Sequence, residues 1–121
     1  MASKKTLVIG ASTNPERYSN KAIKTLLAHG HETCALGNKA GEVDGVTIET
    51  NMHSIPGLDT ITLYLNPRNQ QPYYDYILSL KPKRIIFNPG AENPELEDLA
   101  KAAGIETKEA CTLVMLHTGQ Y

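Results

Sequence analysis

The sequence contains no tryptophan, a single phenylalanine and only two cysteines among its 121 residues. Two cysteines, Cys34 and Cys111, cannot build the disulfide framework of a small secreted domain, so the composition favours a reducing compartment. No apolar run is long enough to span a membrane, and the first one, Thr6–Ile9, is too short for a signal sequence. We therefore expect a cytoplasmic protein.

A charge excess of one sign is also missing. The 12 Lys and Arg residues against 13 Asp and Glu residues give a net charge of −1, with a pI near 6.4. This balance excludes a global attraction to nucleic acid or to an anionic membrane, so an anionic ligand needs a local site. With 40% hydrophobic and 21% charged residues, the chain is predicted to form one globular domain over residues 1–121.

Short apolar runs alternate with helical patterns, which is typical of βαβ units around a parallel sheet. The predicted strands are Thr6–Ile9, Thr33–Leu36, Thr60–Leu65, Arg84–Phe87 and Ile105–Glu109, with a small extra strand at Gly45–Glu49. The predicted helices are Asn20–His29, Pro72–Leu80, Glu95–Ala103 and Cys111–His117. We expect a doubly wound, Rossmann-like α/β domain with a five-stranded parallel sheet in the order 3-2-1-4-5 and right-handed crossovers.

In such a sheet a ligand lies outside the carboxyl ends of the strands, here near the reversal between strands 1 and 4. Four loops rich in Gly, Asn, Ser and Pro reach this rim: Gly10–Ser19, Gly37–Lys39, Asn66–Asn69 and Asn88–Glu92. Ordinary turns also use these residues, so each loop alone is open to either interpretation. Four such loops at one rim favour a binding site.

The first loop is the most informative of the four. Gly10 permits a sharp turn that brings backbone N–H groups close to a phosphate, and the following helix offers its positive end. Ser12, Thr13, Asn14 and Ser19 can add hydroxyl or amide contacts. These features predict a phosphate-containing ligand.

Two features argue against plain NAD binding. The first loop lacks the later glycines of G-x-G-x-x-G, and Gly37-Asn38-Lys39 stands where an acidic residue would contact a ribose. Lys39, Arg17 and Arg68 are each either a phosphate ligand or an ordinary solvated side chain. NADP, with Lys39 beside its 2′-phosphate, is the better form of a dinucleotide hypothesis.

The ordered loops resemble those of a known family. The pattern V-x-G-A-S-x-x-P-x-R-x-S is present from Val8 to Ser19, and Leu36–Lys39 is an altered form of Val-Asn-Pro-Lys. The segments Leu65–Arg68, Asn88–Glu92 and Glu109–Cys111 also look like family loops. The chain resembles the stand-alone CoA-binding domain proteins, and it is similar to the N-terminal domain of the succinyl-CoA synthetase α subunit.

The resemblance implies that the chain binds coenzyme A or acyl-CoA. It implies that Ala11, Ser12 and Arg17 line the CoA phosphates, with Ser19 near the start of the first helix, and that Lys39 contacts a phosphate or the adenosine side. It also implies an adenine and pantetheine path bordered by Asn66, Pro67, Asn88, Pro89, Gly90 and Ala91. The missing proline before Lys39 leaves the direction of that lysine open. The candidate binding residues from both lines of reasoning are Gly10, Ala11, Ser12, Asn14, Arg17, Ser19, Asn38, Lys39, Asn66, Pro67, Arg68, Asn88, Pro89, Gly90 and Ala91.

The sequence predicts no catalytic residue and no metal site. The four histidines lack metal-ligand spacing, and Cys111, at a predicted helix start, is either reactive or an inert buried thiol. Synthetases of the resembled kind use a phosphorylated histidine on a second domain, to which nothing here corresponds. We expect non-catalytic CoA binding by a carrier, a sensor or a partner-dependent module. The alternatives are an NADP-dependent oxidoreductase and a vestigial cleft in an interaction protein, and a homodimer or a protein partner is left open.

Overall fold

The structure, a computed structural model, describes residues 3–121. Its strands are β1 (Thr6–Ile9), β2 (Thr33–Leu36), β3 (Gly41–Val43), β4 (Val46–Glu49), β5 (Thr60–Leu63), β6 (Arg84–Phe87) and β7 (Glu106–Glu109). Its helices are α1 (Tyr18–Ala28), α2 (Pro67–Gln70), α3 (Tyr74–Leu80), α4 (Pro94–Ala102) and α5 (Thr112–His117).

The strands form one seven-stranded sheet in the order β3-β4-β2-β1-β5-β6-β7, so the predicted five-stranded order 3-2-1-4-5 is wrong. The strand at Thr60 was expected beyond β2, yet it pairs in parallel with β1, where Thr6 faces Thr60. The outer side of β2 is taken by β4. From β1 the chain builds the sheet outward first through β2 and then, on the other side, through β5, β6 and β7. The topological switch point, where a ligand is expected, therefore lies between β1 and β5 and not between β1 and β6.

A hairpin explains the two extra strands. β3 and β4 are antiparallel, and Asp44 and Gly45 between them both have positive φ, 49° and 88°. Two central residues with positive φ are the geometry of a tight hairpin turn, for which Asp-Gly is a preferred pair. The single short strand predicted at Gly45–Glu49 is thus the second half of this hairpin.

Helices cover both faces of the sheet, as the period-two alternation of the strands requires. In β1, Leu7 packs in one buried cluster with Ile77 of α3 and residues of α4. Its neighbour Val8 belongs to the other cluster, together with Ile23 of α1 and Leu116 of α5. The molecule is a doubly wound α/β domain.

The predicted loop at Asn66–Asn69 is helical. Asn66 is the N-cap of α2, with Oδ1 accepting from the Asn69 N–H at 2.9 Å, and Pro67 occupies the first turn. A short 3-10 turn, Gln71–Tyr73, then joins α2 to α3, so the helix predicted over Pro72–Leu80 is two segments. An Asn cap followed by Pro is a helix-start signal that the sequence contained.

Both cysteines are free, as expected. Cys34 lies in β2, while Cys111 follows β7. Four strand spacings separate these strands, about 19 Å, which is beyond disulfide reach. In residues 3–121, no helix has the length and apolarity needed to cross a membrane.

Candidate functional site

A cavity of about 850 Å³ lies at the carboxyl ends of β1, β2, β5 and β6. Most of the residues predicted for the site line it: Gly10, Ala11, Ser12, Arg17, Ser19, Asn38, Lys39, Asn66, Arg68, Pro89, Gly90 and Ala91. Asn14, Pro67 and Asn88 are not part of this lining. The volume falls within the range of pockets that hold small-molecule ligands and cofactors.

Gly10 is required by its surroundings as well as by its backbone conformation. Its φ is +91°, and a Cβ at this position would meet the Tyr64 carbonyl oxygen at 2.9 Å. The Gly10 and Ala11 N–H groups both donate to the Leu36 carbonyl oxygen, at 2.9 and 3.0 Å. These two donors hold the loop against β2, so backbone N–H groups that bind a ligand must come from later residues of the loop.

The polar side chains of the first loop mainly stabilise the loop itself. Ser12 Oγ accepts from the Asn14 N–H at 3.1 Å, and Asn14 Oδ1 accepts from the Glu16 N–H at 3.0 Å. The buried Asn20 donates from Nδ2 to the Ser12 carbonyl oxygen at 2.9 Å, which ties the loop to α1. Asn20 was missed by the sequence reasoning because its position inside a predicted helix gave it no loop signal.

Backbone donors remain available where the loop enters α1. No hydrogen bond within residues 3–121 uses the N–H of Ser12, Thr13, Tyr18 or Ser19. Arg17 is the N-cap of α1 and makes no side-chain capping bond. Free N–H groups at the start of a helix, together with the helix dipole, form a favourable position for an anion.

The charged side chains of the cavity wall are all cations. Arg17, Lys39 and Arg68 line it, and no Asp or Glu does so among the described residues. The ion pairs found in residues 3–121 use other lysines, Lys5 with Glu32 and Lys83 with Asp59. Therefore no carboxylate within residues 3–121 forms an ion pair with any of the three cavity cations.

A buried amide network fixes the wall formed after β5 and β6. The fully buried Gln70 donates from Nε2 to the Leu65 and Ala91 carbonyl oxygens, at 2.8 and 2.7 Å. Asn93 donates from Nδ2 to Gln70 Oε1 at 2.9 Å and to the Tyr74 hydroxyl at 2.8 Å. This network holds two cavity loops together, because leaving such buried polar groups unpaired would be costly.

Asn88 stabilises the fold around the cavity. Its Nδ2 donates to Thr62 Oγ1 at 2.7 Å and to the Leu63 carbonyl oxygen at 2.8 Å, and its Oδ1 accepts from the Thr112 N–H at 2.9 Å. The side chain is buried and joins β6, β5 and the start of α5. A direct ligand contact by Asn88 stays a prediction, and its amide is already engaged with the protein.

Gly37 is a cavity residue that the sequence reasoning did not select. A Cβ there would lie 2.5 Å from the Ala11 carbonyl oxygen and 3.1 Å from Ile48 Cγ2. A larger residue would therefore push the first loop away from β2. The glycine was visible in the sequence, but the close approach depends on tertiary packing.

Tyr64 lines the cavity and is partly buried. Burial raises its pKa to about 12, and the neighbouring Thr112 and Thr62 hydroxyls offset only part of the rise. The phenol is therefore neutral at physiological pH and is a poor general base.

The histidines and cysteines lie outside the cavity lining. His29 caps the end of α1, and His31 is buried with Nδ1 accepting from the Lys4 N–H at 3.0 Å. Within residues 3–121, no group of three or more His, Cys, Asp or Glu residues could hold a metal ion. Burial raises the pKa of the Cys34 thiol. Reactivity of Cys111, which immediately precedes α5, stays a hypothesis.

The fold and the cavity define a small doubly wound α/β domain with a cationic cleft at the carboxyl ends of its strands. The chain belongs to the CoA binding domain family, whose model matches residues 4–117. This confirms the resemblance drawn from the ordered loops.

Solved structures share the fold of this chain. A crystal structure described as an uncharacterized protein is 53% identical, with a TM-score of 0.97 and full coverage of both chains. A hypothetical protein from Pyrococcus horikoshii is 27% identical, with a TM-score of 0.86 over 98% of this chain and 84% of its own. Among curated proteins, none matches the chain.

A larger enzyme contains the same fold. A dinucleotide-forming acetyl-coenzyme A synthetase from Ca. Korarchaeum cryptofilum, in complex with phosphate and ADP, is 18% identical with a TM-score of 0.70. The match covers 89% of this chain and 26% of that one. At this identity the likeness is one of fold.

Proposed function

We propose that this chain binds coenzyme A or an acyl-CoA in the cavity and performs no chemistry on it. The observation that carries the proposal is the cavity wall, which combines three cations with backbone donors and contains no carboxylate among the described residues. CoA carries several phosphate charges, whereas the whole chain carries a net charge of −1. Attraction must therefore be local, and charge-assisted bonds from Lys and Arg provide it.

The residues at the start of α1 are suited to the pyrophosphate. The N–H groups of Ser12 and Thr13 lie in the loop, those of Tyr18 and Ser19 lie in the first turn, and Arg17 stands between them. Lys39, from the loop after β2, would meet the 3′-phosphate. Arg68, from α2, supplies positive charge on the opposite wall.

The non-catalytic part of the proposal is supported by the chemistry of the lining. A proton-transfer pair needs an acid and a base within hydrogen-bond reach of each other or of a substrate. The cavity contains no His, Cys, Asp or Glu among the described residues, and its Tyr64 is neutral at physiological pH. A carrier, a sensor or a module that works with a partner chain fits such a site.

The test compares CoA with dephospho-CoA by calorimetry on the unaltered protein and on Lys39→Ala. We expect CoA to bind more tightly than dephospho-CoA, and Lys39→Ala to lose most of that preference. Removing one charge-assisted phosphate bond should weaken CoA binding by about 1–3 kcal/mol, roughly one to two decades in Kd. Lys101→Ala, which removes a cation in the last turn of α4, is the matched control and should bind as the unaltered protein does.

Two results would contradict parts of the proposal. Equal binding of CoA and dephospho-CoA by both proteins would show that Lys39 does not contact the 3′-phosphate, while CoA binding itself would stand. Binding of NADP in place of CoA would instead favour the oxidoreductase alternative.

A further inference from the structure

Tyr18 differs from every other tyrosine of the chain. Of six tyrosines, five pack against one of the two hydrophobic clusters: Tyr64, Tyr73, Tyr74, Tyr76 and Tyr121. Tyr18 leaves 66% of its surface exposed, the largest value among the exposed large hydrophobic residues of the described chain. Tyr18 therefore belongs to neither hydrophobic cluster.

The position of Tyr18 gives it no evident structural task. It is the first residue of α1, and tyrosine is only an average helix former. The buried side of α1 is made of other residues, among them Ala22, Ile23 and Leu26. Helix formation and packing therefore do not require an aromatic side chain at this place.

The ring stands at the cavity. Tyr18 lines it, while the other exposed large hydrophobic residues, Met52, Leu99 and Val114, do not. Its own N–H and that of Ser19 are among the free donors at the start of α1. A ring in this position borders any anion that these donors hold.

The electrostatics of the ring suit a planar partner. Lys21 Nζ lies over the ring, 5.3 Å from its centroid, which is a cation–π distance. With 66% of the Tyr18 surface exposed despite this contact, ring surface is available for stacking. A base stacked there would bury apolar surface that is otherwise exposed.

We propose that the Tyr18 ring stacks on the planar base of the bound ligand and thereby selects ligands that contain a nucleotide. This inference rests on the proposed binding of CoA, whose adenine would be the stacked base. In this arrangement the start of α1 binds the phosphate through the N–H groups of Tyr18 and Ser19. It binds the base through the Tyr18 side chain. Tyr18 is then a specificity residue for the nucleotide half of the ligand.

Calorimetry with CoA and with adenosine 3′,5′-bisphosphate tests the proposal on the unaltered protein, Tyr18→Ala and Tyr18→Phe. Loss of one stacked base should weaken binding by about five- to a hundredfold, so Tyr18→Ala should lose affinity for both ligands to this extent. Tyr18→Phe keeps the ring and should stay within about twofold of the unaltered protein. Met52→Ala, which truncates an exposed apolar side chain outside the cavity, should change neither affinity.

Fluorescence gives a second, direct readout. The chain has no tryptophan, so Tyr18→Trp introduces a single reporter at this position. Quenching of its emission by adenosine 3′,5′-bisphosphate is the expected result, and unchanged emission at saturating ligand would overturn the stacking.

The outcomes separate the two proposals. If CoA binds and Tyr18→Ala binds it equally well, stacking is wrong and CoA binding stands. If Tyr18→Phe loses as much affinity as Tyr18→Ala, the hydroxyl rather than the ring is responsible, and stacking is again wrong. If the unaltered protein does not bind CoA, the proposed function fails and this inference fails with it.

Discussion

The two edges of the sheet treat their positive charges in opposite ways. At the amino-terminal ends of the strands, Lys5 pairs with Glu32 at 3.5 Å, and Lys83 lies 3.9 Å from Asp59. At the carboxyl-terminal ends, Arg17, Lys39 and Arg68 face a cavity whose described lining contains no carboxylate. Lysine side chains thus pair with carboxylates at one edge, whereas the lysine and arginine side chains at the other edge line a cavity.

Arg84 is the buried cation of the amino-terminal edge. It donates from Nε to Thr60 Oγ1 at 2.8 Å, and lies with its guanidinium 4.4 Å from the centre of the Tyr121 ring. The Tyr121 hydroxyl in turn bonds Thr6 Oγ1, and Lys4 Nζ donates to the Tyr121 carbonyl oxygen at 2.5 Å. These contacts cross-link the start of β1 to β5, β6 and the last residue.

The comparison separates stability from binding. A buried cation with partners inside the protein, such as Arg84, contributes to the free energy of unfolding, whereas the pair of the exposed Lys83 with Asp59 contributes little. A cation that faces a cavity without a partner contributes little to stability and remains available to a ligand. Substitutions at the amino-terminal edge should therefore change stability, and substitutions at the carboxyl-terminal edge should change ligand affinity.

The largest expected effect is on binding, from Ser12→Asp at the cavity edge. A carboxylate beside the phosphate donors repels CoA, and we expect its affinity to fall by at least tenfold, since like charges at close range cost several kcal/mol even near a protein surface. Asp can still accept the Asn14 N–H bond, so the melting temperature should change by no more than about 3 °C. Calorimetry and thermal unfolding measure the two effects.

Ser12→Asn is the matched neutral control, because asparagine has nearly the same shape as aspartate but carries no charge. It should bind CoA nearly as well as the unaltered protein does. An unchanged affinity in Ser12→Asp would mean that the first loop is not the phosphate site.

The reverse pattern is expected from Arg84→Met at the opposite edge. This change removes the bond to Thr60 and the cation–π contact with Tyr121 while keeping most of the side-chain volume. The free energy of unfolding should fall by about 1–3 kcal/mol, measured by urea denaturation. CoA affinity should stay within about twofold, and a parallel loss of affinity would show that the two edges are coupled.

The location of the cavity could be predicted from the sequence even though the strand order could not, while ligand binding in it stays a prediction. The carboxyl ends of parallel strands share one edge whatever their order, so the four loops meet there in either topology. The order itself depends on which apolar strand pairs with which. Short buried strands such as Thr6–Ile9 and Thr60–Leu63 carry no pattern that identifies a neighbour.

Some missed features had local signals and others had none. Asp44-Gly45 predicts a hairpin, and Asn66-Pro67 predicts a helix start, so both were available from the sequence. The close approach of Gly37 to the Ala11 carbonyl oxygen was not, because it joins two loops far apart in the chain. The three hydrogen bonds of Asn88 likewise become visible only once β5, β6 and α5 are assembled.

The smallest expected effect is the pH dependence of the unfolding free energy, to which His31 at the amino-terminal edge contributes. Burial lowers the pKa of His31 below its ordinary value of 6.5, and the positive charges of His29, Lys4 and Arg84 lower it further, while Asp59 opposes them. The neutral ring is the form that the fold needs, because Nδ1 accepts the Lys4 N–H. The unfolded chain therefore binds a proton at a higher pH than the folded chain does.

That difference fixes the sign of the effect. The contribution of His31 to stability is complete above pH 6.5 and is lost as the pH falls toward the lowered pKa of the folded state. In His31→Asn the amide oxygen can still accept the Lys4 N–H but does not titrate. We expect the unaltered protein to lose more unfolding free energy than His31→Asn between pH 7.5 and pH 5, as measured by urea denaturation at each pH. Because His31 does not line the cavity, CoA affinity at pH 7.5 should be the same in both proteins. Equal losses of unfolding free energy in the two proteins would show that His31 is not responsible for the pH dependence.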